Sequence, residues 1–206
     1  MIEVLQRVAE IRRKSGQYQA QLAQQFSLAL DAAPVAGLGI CFNTATLTME
    51  LLSYYHDLWG RLKSAPGTNV EQARQENAER VGLITKALFI LVLSGYEFAA
   101  KHALARNPRR LNLKRGRVYL AAILDASEKA GLITAQALGM WAGVLKLRNT
   151  LVHNNGVAEE TGTFNFDDTV VAFRAGQMIE GNLLTFAALT EWATDSFKDW
   201  CLAFLG

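Results

Sequence analysis

The stretch "ALFILVLSGYEFAAKHALA", residues 87 to 105, decides the fold. Its first ten residues are apolar on nearly every side of a helix, with Lys86 before them and Glu97 after them. A membrane span needs about 20 consecutive apolar residues, and this run is much shorter. A helix that is apolar all round reads instead as the central helix of a bundle. The spacing predicts it over residues 70–105, with Pro108 ending it.

Other helices surround it. Val4, Val8, Ile11, Tyr18, Leu22, Phe26 and Ala29 recur at three- and four-residue steps and predict a long first helix. Pro34 and the Gly37–Gly39 pair are expected to stop it. Leu47, Leu51, Tyr54, Leu58 and Leu62 mark a second helix, ending before Pro66-Gly67. A fourth is expected over 116–129. A fifth is expected to be capped by Thr134 and closed by Asn154-Asn155-Gly156, a left-handed stop. Residues 163–182, "TFNFDDTVVAFRAGQMIEGN", have a different texture. They predict a hairpin pairing 169–174 with 177–180. A last helix follows over 182–205. The expected fold is all-α, one domain of 206 residues, with a small β insertion at about 163–181 before the last helix.

Composition narrows the function. Half the residues are hydrophobic, enough for a sizeable core. A net charge of +2 does not by itself indicate nucleic-acid binding, so local clusters must carry any such reading. Cys41 and Cys201 show no framework or C-x-x-C spacing and read as reduced thiols of a cytoplasmic protein. Glu3 and Arg7 break the first helix's apolar pattern, which argues against a signal peptide. The sequence has no phosphate-binding G-x-x-x-x-G-K-[ST], no H-E-x-x-H and no metal-ligand cluster, so no metal or cofactor is expected.

The chemistry concentrates in "RNTLVHNNG", residues 148 to 156. At about 100° per residue, Met140, Trp141, Val144, Leu145, Leu147, Leu151 and Val152 share one broad arc of the fifth helix. Arg148 lies near the middle of that arc. Asn149 and His153 fall on a neighbouring polar strip with Lys146. A guanidinium on a buried or interface face is costly unless it is paired or meets an anion. Its forked donors match a carboxylate or a phosphate. His153 is in the last turn, where the helix dipole favours the protonated imidazole. The partner expected within the chain is Glu97, which shares a helix face with Lys101 and Ser94.

Taken together, these residues resemble the HEPN domain superfamily (higher eukaryotes and prokaryotes nucleotide-binding). "RNTLVHNNG" resembles its R-polar-x-x-x-H signature, and "EFAAK", residues 97 to 101, resembles the E-x-x-x-K motif of an earlier helix in some members. Context carries the resemblance: Asn149 follows the arginine, the motif closes an apolar helix, and Asn-Asn-Gly follows the histidine. The likeness covers residues 70–205, which leaves residues 1–66 as a helical extension. It implies a HEPN-like bundle acting as a homodimer, with two motifs meeting across the interface. It also implies a metal-independent endoribonuclease that leaves 2′,3′-cyclic phosphate and 5′-hydroxyl ends. Arg148 would clamp the scissile phosphate, His153 would act as general acid or base, and Asn149 would orient one of them. Glu97 and Lys101 would support. The setting implied is a toxin or phage-defence effector, with RNA as partner, an antitoxin or regulatory protein as a second, and no membrane.

Plainer readings stand beside this one. Arg148 with Glu97 also reads as a structural ion pair in a non-catalytic module that binds RNA, a nucleotide or a protein. His153 also reads as a helix-capping histidine, and Lys101 as a solvated charge. His56 and His102 have no motif around them and read as structural. The connector "ARNPRRLNLKRGR", residues 105 to 117, carries Arg106, Arg109, Arg110, Lys114, Arg115 and Arg117. It is suited to RNA phosphates and equally to plain solvation.

Overall fold

The computed structural model describes residues 1–63, 65, 67–113, 118–154, 156–166, 169–179 and 182–206. Among them six helices and one hairpin form: α1 (Ile2–Gln25), α2 (Ala33–Lys63), α3 (Thr68–Arg106), α4 (Leu120–Lys129), α5 (Ala135–His153), β1 (Gly162–Phe166), β2 (Thr169–Phe173) and α6 (Leu183–Leu205). This is the all-α bundle that the periodicity predicts.

Helices α1, α2, α3 and α6 make the bundle: α1 packs between α2 and α6, and α3 closes the ring on the other side. Residues of all four share one core, including Ile11, Leu38, Leu88, Val92 and Phe197. The first two helices are therefore half of the bundle rather than an extension beside it. α3 is its centre as expected, with Phe89, Val92, Leu93 and Tyr96 at most 1% exposed. One buried polar layer crosses the core. Tyr96 Oη donates to Thr194 Oγ1 at 2.9 Å, and Cys41 Sγ lies 3.5 Å from the same hydroxyl. Burial pushes the pKa of both the Tyr96 phenol and the Cys41 thiol up, so each stays neutral.

The structure corrects several sequence expectations. α1 ends at Gln25, and Pro34 is in the first turn of α2, where a missing N–H costs nothing. Gly37 and Gly39 lie inside α2. Gly37 is there because α3 passes so close: a Cβ on it would stand 2.6 Å from Ala99 Cβ. That close approach also inverts the expected face of α2. The buried stripe is the small one, Leu38, Cys41, Ala45 and Thr48 with Leu52, whereas Leu47, Leu51 and Tyr54 are 56%, 38% and 56% exposed. The hairpin is shifted too, with Gly162 opposite Phe173 and Phe166 opposite Thr169. Ala175 and Gly176 form the turn after β2, with Gly176 at φ +73°. α4 begins at Leu120; residues 114–117 lie outside the described residues.

By length and composition, α2 and α3 are each apolar enough to cross a membrane. Each also buries one face in the bundle core.

Candidate functional site

α4 and α5 pack together against α3, and the hairpin packs on α5. Thr134 starts α5 as expected, its hydroxyl accepting from Ala137 N at 3.1 Å. At the other end Gly156 turns left-handed at φ +84° and donates to Thr150 O at 3.0 Å. The hairpin approaches closely because Gly143 has no side chain; a Cβ there would lie 2.5 Å from Phe164 Cγ. α5 is thus fixed along its length, and Arg148 projects toward α3.

Arg148 meets α3 as the sequence predicted. Its Nη2 donates to Ser94 Oγ at 3.0 Å and lies 3.7 Å from Glu97 Oε2. Its Nη1 donates to Asn149 Oδ1 at 3.0 Å. Nε is buried and has no partner among the described residues. The Arg148 and Glu97 side chains are 18% and 16% exposed, so solvent screens them only partly. Glu97 is shared: Lys101 Nζ lies 2.6 Å from its other oxygen and 5.4 Å from the centre of the Tyr119 ring. Ser94, Glu97, Lys101, Arg148 and Asn149 therefore form one connected group.

His153 belongs to a neighbouring space. It is exposed and makes no hydrogen bond with Arg148. It lines a hollow of about 530 Å³ with Lys146, Asn149, Glu160, Phe173 and Ala121. Among the described residues Asn149 joins the two spaces, since it both lines the hollow and accepts from Arg148. Lys146 Nζ lies 2.7 Å from Glu160 Oε1, and that contact holds the Glu160 carboxyl below its usual range. Val152, placed on the apolar arc by the helical wheel, is 40% exposed. It is in the last turn, beyond the packing neighbours of α5.

The basic connector lies elsewhere. Arg106, Arg109 and Arg110 are exposed and line a hollow of about 510 Å³ with Phe204 and Leu205. Arg110 Nη2 donates to Ala203 O at 2.9 Å, near the end of α6. Arg106 is twelve residues from Ser94, about 18 Å along α3. Lys114, Arg115 and Arg117 lie outside the described residues. His102 packs on Phe98 with ring centres 4.2 Å apart. His56 lines an open hollow with Met1, Trp59 and Arg61.

Ser94, Lys146, Glu160 and Tyr119 complete the surroundings and were not among the residues expected to act. Ser94 had a signal, because it is the one serine or threonine in the run 87–96 and precedes Glu97 by three residues. Glu160 had none, because its contact depends on how the chain folds back after α5. Among the described residues no three His, Cys, Asp or Glu side chains gather as metal ligands. The charge chemistry available is that of a guanidinium, an imidazole and an amide.

No protein-family model matches this chain, and neither the characterised proteins nor the solved structures contain one significantly similar to it.

Proposed function

We propose that this chain is a metal-independent endoribonuclease of HEPN type. The reading rests on one observation: Asn149 holds the Arg148 guanidinium with its Oδ1 and at the same time lines the hollow that contains His153. A phosphate bridging the two spaces would displace the 3.7 Å contact with Glu97 and take two guanidinium donors. Glu97 keeps Lys101 when Arg148 leaves, so the exchange strands no carboxylate. His153, at the solvent edge, then takes a proton from a ribose 2′-hydroxyl or gives one to the leaving 5′-oxygen. The products are a 2′,3′-cyclic phosphate and a 5′-hydroxyl. Arg106, Arg109 and Arg110, with the connector beyond them, hold flanking phosphates. The setting that fits is a cytoplasmic toxin or phage-defence effector, working as a homodimer under an antitoxin or regulatory protein.

The alternative is a non-catalytic module that binds RNA, a nucleotide or a protein. It is favoured by the separation of His153 from Arg148 within one chain.

Cleavage of mixed RNA in excess EDTA separates the two readings. Arg148→Ala and His153→Ala are each expected to lower the rate by about 10²-fold or more, with the helical circular-dichroism signal unchanged. RNA retained but uncut by the unaltered chain supports the module. Equal rates in all three proteins rule out the proposed site.

A further inference from the structure

Residues 98–124 hold seven Lys or Arg and no Asp or Glu, in a chain whose net charge is only +2. The described part of that run leads away from the candidate site over one surface. Lys101 Nζ, which shares Glu97 with Arg148, stands 5.4 Å from the centre of the Tyr119 ring, and Tyr119 is 54% exposed. On the adjoining flank of α3, Phe98 is 51% exposed and packs on the exposed His102, ring centres 4.2 Å apart. At about 100° per residue, Ser94, Phe98, Lys101, His102 and Arg106 fall within an arc of about 140°. The surface ends at the hollow that Arg106, Arg109 and Arg110 line. Among the described residues Arg106 and Arg109 meet no carboxylate, and Arg110 donates only to the Ala203 carbonyl.

We infer that this surface is a track for single-stranded RNA leading out of the candidate site. Phe98, His102 and Tyr119 stack bases, and Lys101, Arg106, Arg109 and Arg110 hold the phosphates between them. Open rings interleaved with cations match a strand that alternates base and phosphate. Cations alone would serve any polyanion; the three rings are what narrow the ligand. A duplex keeps its bases stacked inside and offers phosphate and sugar, so it leaves the rings idle. Anionic lipid would use the cations, but it gains nothing from an aromatic side chain in place of an aliphatic one at 98 and 119. From Ser94 to Arg106 the track runs about 18 Å along α3. That is room for about four nucleotides, the short end of known single-strand sites.

The sequence hid this surface because its parts come from separate places. The connector carries the charge with few aromatics in it, and the rings that complete it are on α3 and at the start of α4. In naming the strand that the candidate site receives, the inference rests on the ribonuclease reading; the binding itself stands without it.

The test is fluorescence anisotropy of the full chain with a labelled single strand of about eight 2′-O-methyl nucleotides, which chemistry at a 2′-hydroxyl cannot cut. The same strand in a duplex, and an abasic strand of equal length, are the comparisons. The single strand is expected to bind at least tenfold tighter than either. Phe98→Leu/Tyr119→Leu keeps apolar area and removes two rings. It should weaken the base-bearing strand about tenfold or more, with unchanged helical signal, because both residues are exposed. If that variant loses helix, the two single changes are read instead, each expected to cost about threefold or more. Arg106→Gln/Arg109→Gln should lower the slope of log affinity against log salt by about 1.4, two phosphates at about 0.7 each. Equal affinity for all three probes overturns the track, and so does indifference to the leucine changes. Binding to phosphatidylserine vesicles that the single strand cannot compete away does the same. Stacking without cleavage of an unmodified strand keeps the track and removes the ribonuclease. Cleavage at the same rate in Phe98→Leu/Tyr119→Leu as in the unaltered chain does the reverse.

Discussion

Two half-buried cations hold two helix seams, and they are treated differently. On the α1–α6 seam, Lys14 Nζ lies 2.8 Å from Glu191 and 2.7 Å from Asp195. Arg7 adds a second cation to Glu191 at 2.8 Å, and Tyr18 donates to Asp195 at 2.7 Å. Burial opposes the charge on Lys14, but the two carboxylates outweigh it and raise its pKa. On the α3–α5 seam, Arg148 faces one carboxylate at 3.7 Å that Lys101 already holds at 2.6 Å. Its other acceptors are the Ser94 hydroxyl and the Asn149 amide oxygen, and Nε has no partner among the described residues. The first cation is saturated by charge and joins helices. The second keeps donor capacity for an anion from outside.

Stability should separate the two. Lys14→Met leaves Asp195 without its cation on a partly buried seam. The cost expected is about 2 kcal/mol, below that of a fully buried pair because water screens the site. Urea unfolding measures it, and a loss under half that would erase the contrast.

Alkali should loosen the same seam next. Burial and the Asp195 carboxylate push Tyr18 up to about 12, so it titrates later in the folded chain than in the unfolded one. Lys14 is raised as well. Stability from both is therefore full below about pH 10, where the unfolded groups begin to titrate, and is lost as pH rises toward 12. Unfolding free energy followed from pH 9 to 12 should fall, and Tyr18→Phe should flatten the fall.

The smallest effect belongs to Arg148→Met. It removes one hydrogen bond to a hydroxyl and one to an amide, and leaves Glu97 paired with Lys101. The expected loss is under about 1 kcal/mol. A loss as large as that of Lys14→Met would make Arg148 a structural residue after all.

Much of this was legible in the sequence, for reasons that also mark where the reading stops. The central helix was legible because its apolar run supplies the core face of Phe89, Val92 and Tyr96, although the same run leaves Leu83, Leu91 and Phe98 exposed. The Thr134 cap and the Arg148–Glu97 meeting were legible because each is a local polar exception in an apolar run. The buried face of α2 was not. Hydrophobicity ranks Leu47 and Leu51 above Ala45 and Cys41, but tight helix crossing rewards small side chains, and the neighbours that impose it are distant in sequence. The hairpin register failed similarly: alternation allows two pairings, and the one formed seats Phe164 over Gly143. The gap between His153 and Arg148 was illegible too, because a helical wheel gives direction and not what stands alongside.

The contacts that follow His153 have a consequence of their own. Ile179 N donates to Gly156 O at 2.8 Å, Ala158 N to Gln177 O at 3.0 Å, and Phe164 rests over Gly143. Strand and helix are thereby splinted at two heights, so the last turn of α5 opens only if the splint comes off. Backbone amides around Thr150 should therefore exchange with deuterium in step with those of β1 and β2, as one cooperative unit, where a free helix end would exchange first and alone.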